Sequence, residues 1–118
     1  TPTDLDGAIS RPVRIEGFFD TVHVHQPGLP ALVLTGAAAR VIYELGTIGQ
    51  PVSWRDVATT VWPNHDGDER LRKRWDVMLT RLRKRLTESA IRPSLVHADG
   101  GGKVRLLLER ADVFQDCG

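Results

Sequence analysis

The run from Arg70 to Leu86, RLRKRWDVMLTRLRKRL, constrains the chain more than any other segment. Leu71, Trp75, Met78, Leu79, Leu82 and Leu86 recur at spacings of three and four. At about 100° per residue they fall in one stripe roughly 100° wide, as a core-facing helix requires. The opposite side carries Lys73, Val77, Thr80, Arg81 and Lys84. Arg70 and Arg74 lie on one flank, Asp76 and Arg83 on the other. The pattern therefore predicts a helix from about 70, or from Asp68, to about 87. One face packs on a core and the other is free to meet a polyanion.

The same run concentrates charge. Arg70, Arg72, Lys73, Arg74, Arg81, Arg83, Lys84 and Arg85 stand against the single acid Asp76, a balance of +7. The whole chain has a formal net charge of only +1, so the other residues sum to −6. Positive charge gathered on one helix is the footprint of a phosphate-backbone binder. Its plain counterpart is a solvated basic helix face.

At 118 residues, 41% hydrophobic and 26% charged, the chain is read as one ordinary globular domain with a modest core. No apolar stretch approaches a membrane span, and there is no secretory signal pattern, so no membrane partner is expected. The lone cysteine, Cys117, cannot form an internal disulfide, which makes a cytoplasmic setting the expectation. The chain opens at Thr1 without methionine and is read as a fragment of something longer or a processed form.

Residues 1–12 read as a linker or frayed terminus, 13–110 as the folded domain and 111–118 as a tail anchored by Val113 and Phe114. Val13 to Phe19, Thr21 to His25 and Ala31 to Leu34 read as strands of a small N-terminal antiparallel sheet. Thr35 is the expected N-cap of a first helix whose apolar face is Ala38, Val41, Ile42 and Leu45, with Gly46 as its stop. Gly49 to Val52 is an extended link. Ser53 caps a second helix with Trp54, Val57, Ala58 and Val61 on one stripe, ended by Pro63. Residues 63–69, PNHDGDE, form a polar loop before the basic helix. Leu95 to Ala98 and Val104 to Leu108 read as a hairpin around Asp99-Gly100-Gly101-Gly102, whose three glycines predict a floppy tip.

Three strands, three helices and a C-terminal hairpin, with the third helix basic, describe an α+β winged helix-turn-helix. The residues resemble the OmpR/PhoB-type DNA-binding effector domain of bacterial response regulators. Leu34-Thr35 is similar to that family's LT start of the first helix. Pro51-Val52-Ser53-Trp54-Arg55-Asp56-Val57 with Val61-Trp62 resembles its VSRxxL…VW second helix. Trp75 to Leu86, WDVMLTRLRKRL, resembles its VDVHISRLRRKL recognition helix. The order of elements agrees from about Val13 to Leu108, and the third-helix match is the most specific part. The chain departs from the family at Ala39, where a glutamate is usual nearby, and at Met78, where histidine is usual. It departs again at the wing, where Val96 to Val104 lacks the VRGxGY pattern with its arginine and tyrosine.

The resemblance implies sequence-specific binding of double-stranded DNA as the output module of a transcription regulator, with the third helix in the major groove. On that reading Val77, Thr80, Arg81 and Lys84 face the bases. Arg70, Lys73, Arg74 and Arg83 hold phosphates, and Lys103 and Arg105 stand in for the missing wing contacts. Arg72 and Arg85 lie nearer the packed side. Relatives imply a head-to-tail homodimer on direct repeats and contact with RNA polymerase through the 63–69 loop. The rival from another class is a winged helix used for protein–protein contact, favoured by the missing wing residues and the near-neutral charge of the whole chain.

Other chemistries find less support. Trp54, Trp62 and Trp75 would serve as stacking platforms for single strands, but all lie on or beside apolar stripes and read as core. His23, His25, His65, His97 and Cys117 invite a metal, yet no CxxC or HxxxH spacing exists, so neither metal nor cofactor is expected. Paired carboxylates and nucleophile–base motifs are absent, and Gly100-Gly101-Gly102 lacks the Lys-Ser/Thr of a phosphate loop, so no enzyme activity is expected.

Overall fold

A computed structural model of the chain describes residues 12–64 and 67–118. The linker expected over 1–12 lies outside the described residues except for Pro12, as do His65 and Asp66 of the polar loop. The architecture is α+β, with three α-helices and two sheets among the described residues. Strands β1 (Arg14–Gly17), β2 (Thr21–His25) and β3 (Leu32–Thr35) precede helix α1 (Gly36–Ile48). A two-residue strand β4 (Val52–Ser53), α2 (Trp54–Val61) and α3 (Asp68–Glu88) follow. A 3₁₀ turn at Pro93–Leu95 leads into β5 (Val96–Ala98), β6 (Lys103–Leu106) and β7 (Val113–Asp116).

Alternation builds the first sheet. Ile15, Val22, Val24, Leu32 and Leu34 point to one face and are buried, while Arg14, Glu16, His23, His25 and Val33 take the other. Onto the buried face pack Ala39, Val41, Ile42 and Leu45 of α1, and the predicted stripe of α3, Leu71, Trp75, Met78, Leu79, Leu82 and Leu86, joins the same core. Val57 and Ala58 of α2 close the same core. Gln26, the one buried polar residue among those described, donates its side-chain amide to the Ser89 carbonyl at 2.9 Å. It thereby ties the end of β2 to the end of α3. No helix among the described residues is long and apolar enough to cross a membrane.

Two expectations fail together at the end of the chain. Residues 111–118 are not a tail: β7 pairs in parallel with β1, and the sheet of order β3-β2-β1-β7 is mixed rather than antiparallel. Helix α1 does not stop at Gly46 but continues to Ile48, where Gly49 turns into the left-handed region at φ 72° and its amide bonds the Leu45 carbonyl. One side chain explains both. The ring of Phe114 on β7 lies against Gly46, where any Cβ would overlap it, and close to Gly17, where a Cβ would overlap the Tyr43 ring instead. Gly46 is therefore a docking notch in a helix rather than a terminator. Asp112 adds a polar clamp, accepting from the Val13 and Glu109 amides and from the Arg92 guanidinium.

The second sheet has order β4-β6-β5, so the link at Val52-Ser53 becomes a third strand beside the expected hairpin. Ser53 caps α2 as expected, its hydroxyl accepting from the Arg55 amide at 3.2 Å. The hairpin tip carries two local side-chain hydrogen bonds that the glycines alone did not suggest. The Asp99 carboxylate accepts from the Gly101 amide at 2.8 Å and the Lys103 amide at 3.1 Å. These two bonds hold its carboxyl below the usual carboxylate range.

Candidate nucleic-acid interface

The exposed face of α3 borders an open groove of about 900 Å³ between that helix and the junction of β3 with α1. Arg70, Lys73, Arg74, Arg81 and Arg85 line it, with Val77, Trp62, Leu34, Thr35 and the first turn of α1. No carboxylate lies among its described lining residues. Thr35 occupies the cap position of α1, but its hydroxyl makes no capping bond. The positive end of the α1 dipole thus opens on the same groove.

The helix arranges these groups by its pitch. Lys73, Val77 and Arg81 follow one another at intervals of four and form a single ridge. Val77 is 42% exposed, an apolar spot framed by cations. Thr80 and Lys84 are exposed on the same helix but lie outside the groove lining. Among the described residues, Lys73, Arg74, Arg81 and Lys84 have no carboxylate within ion-pair distance.

Arg83, expected at a phosphate, has a partner within the fold. It is partly buried and donates from Nη2 to the Val96 carbonyl at 3.0 Å, bracing β5 against α3. Arg85, expected near the packed side, instead reaches the groove, where its Nη2 donates to the Val33 carbonyl at 3.4 Å. Its wheel position is ambiguous, and only the placement of β3 decides which way it serves. Arg72 is held by Asp76 at 3.1 Å and lies over the Trp54 ring at 4.8 Å.

Lys103 and Arg105 are exposed on β6, one either side of buried Val104. They border a small hollow of about 120 Å³ with Pro51, His97 and Asp99, separate from the main groove. Trp75 is buried and Trp54 and Trp62 are packed against the core, with Trp54 and Trp75 at 6.1 Å between centroids. Arg55 and Arg72 lie over the Trp54 ring, and half-buried Trp62 lines the main groove. Among the histidines, His97 lies in the hollow, and His23 and His25 meet Glu16 on the outer face of the first sheet. The period-two spacing of those histidines was visible in the sequence; that Glu16 stands opposite them follows only from the β1–β2 register.

No protein-family model, curated protein or solved structure matches the chain.

Proposed function

We propose that the chain is a winged-helix module that binds double-stranded DNA, with α3 in the major groove and the β5–β6 hairpin as the wing. It serves as the output module of a transcription regulator. The observation that carries this reading is the groove, in which Arg70, Arg74 and Arg85, and no described acid, flank an exposed ridge of Lys73, Val77 and Arg81. A major groove admits a helix of this kind, with Val77 and Arg81 of the ridge toward the base edges. Arg81 has the geometry to bond guanine in bidentate fashion, and Val77 the character to touch a thymine methyl. Lys73, Arg74 and Arg85 then neutralise phosphates along the groove walls. The start of α1 adds backbone amides suited to a phosphate oxygen. Lys103 and Arg105 of the wing contribute affinity without reading bases.

The test is a fluorescence-anisotropy titration against random duplex DNA at several salt concentrations. The logarithm of the affinity should fall with the logarithm of salt at about −0.9 per phosphate neutralised, for roughly four to six phosphates. Absence of binding at low salt, or an affinity indifferent to salt, would overturn the reading. It would favour a protein-contact module, for which the absent wing arginine and tyrosine are the supporting observation.

A further inference from the structure

The four-stranded sheet turns one face to the core and the other outward, and the outward face carries an unusual group. His23 and His25 are two residues apart on β2 and therefore share that face. Glu16 on β1 stands directly opposite His23 in the antiparallel register. One ligand atom from each of the three lies within 4.8 Å of the other two. Glu16 Oε1 and His25 Nε2 already meet at 2.6 Å.

We propose that Glu16, His23 and His25 form a binding site for one borderline divalent transition-metal ion, Zn²⁺ or a neighbour of it. Two imidazoles and a carboxylate are the donor set that prefers such ions to Mg²⁺ or Ca²⁺, which take all-oxygen shells. Bonds of about 2.0–2.1 Å to a tetrahedral ion place ligand atoms roughly 3.4 Å apart. The Glu16–His25 pair has to open and His23 to close by only about an ångström from the present positions, well within rotamer adjustment. All three side chains are half-buried, so water has access to the fourth position. The ligands stand on two neighbouring strands of a hydrogen-bonded ladder, which fixes their spacing before any ion arrives. The Phe18 ring lies tilted against His23, 5.1 Å between centroids, and limits the swing of that ring.

Arg14 is the obvious competitor. Its Nη1 reaches Glu16 Oε2 at 3.5 Å, but its side chain is 55% exposed and engages the oxygen that faces away from His25. The remaining alternative is an ordinary cross-strand hydrogen bond with no affinity for metal. The spacing of the ligands is independent of the DNA reading, and the test below does not involve DNA.

The experiment titrates Zn²⁺ into the full chain against a chromophoric chelator and repeats the titration with Co²⁺, whose visible absorption reports coordination geometry. The expected result is one ion per chain with a tetrahedral Co²⁺ spectrum. His23→Gln and His25→Gln should each weaken binding roughly tenfold or more, and Cys117→Ser should leave it unchanged. A measurement without variants accompanies these. Zn²⁺ should shift the ring-proton resonances of His23 and His25 in the unaltered chain and leave those of His97 in place. The proposal is overturned if the unaltered chain binds Zn²⁺ no more tightly than the His23→Gln/His25→Gln double variant. It is equally overturned if binding is lost in Cys117→Ser, or if the resonances of His97 respond and those of His23 and His25 do not.

Discussion

Lys73 and Arg81 stand two helical turns apart on one ridge of α3, yet they are expected to do different work. A phosphate contact positions the protein without informing it of sequence, whereas a bidentate contact to a base edge does both. Lys73→Ala should weaken all duplexes alike and reduce the salt slope by about one. Arg81→Ala should cost roughly 1–3 kcal/mol on the preferred site and flatten the preference at one base pair. Selection from a randomised duplex pool checks this; equal, unchanged preferences in both variants would remove Arg81 from the base-reading set. Asp99 supplies a pH-dependent case. Its carboxyl is held below its ordinary value of 3.8 by the Lys103 and Gly101 amides. A depressed carboxyl stabilises the folded tip fully above that ordinary value and loses the effect as pH falls through the lowered one. The amide shifts of Gly101 and Lys103 should therefore titrate together below pH 3.8, and Asp99→Asn should abolish the coupled change. At this scale the sequence was informative about residue type and wheel position, as the Lys73–Val77–Arg81 ridge illustrates. It was silent on partners: the helical pattern set Arg83 on an open flank and Arg85 nearer the packed side, whereas Arg83 bonds the Val96 carbonyl and Arg85 reaches the groove.

Helix α1 and strand β7 are defined by each other. Phe114 needs glycine at 46, so a residue read as a helix stop is really the seat of a ring contributed by a strand 68 positions later. Helix propensity alone says that Gly46→Ala should stabilise the chain by about 1 kcal/mol. The overlap with Phe114 predicts the reverse, a net loss of up to about 2 kcal/mol, because overpacking a closed contact costs roughly 1–3 kcal/mol. Pairing Gly46→Ala with Phe114→Leu should recover part of the loss, the mark of two residues in direct contact. Urea unfolding of the three variants decides the matter, and a stabilised Gly46→Ala would refute the docking role. The helices were legible because period 3.6 is a local property and their apolar stripes are long. Strands β4 and β7 were not, since a two-residue strand has no period and β7 is only four residues long with its apolar Phe114 half-buried. Their pairing is set by distant partners, β6 and β1, which no local pattern reveals.

At the scale of the whole molecule, the α3 groove has no described carboxylate in its lining, whereas Asp112, Asp116, Glu16 and Asp20 lie on or beside the four-stranded sheet, where Arg14 also stands. That sheet also joins the first and last strands side by side, in parallel, from Arg14 opposite Val113 to Gly17 opposite Asp116. The arrangement has a mechanical consequence. Tension applied at Pro12 and Gly118 drags β1 and β7 lengthwise past each other, so every rung of their ladder bears the load at once. Tension applied at Pro12 and Ala111 pulls both strands from the same end and parts the rungs one at a time. In single-molecule stretching the first geometry should rupture at clearly higher force than the second, and equal forces would mean that another element yields first. The domain is thus stiff along one line and weak along another, and the direction of a pull, rather than its size alone, decides when the chain gives way.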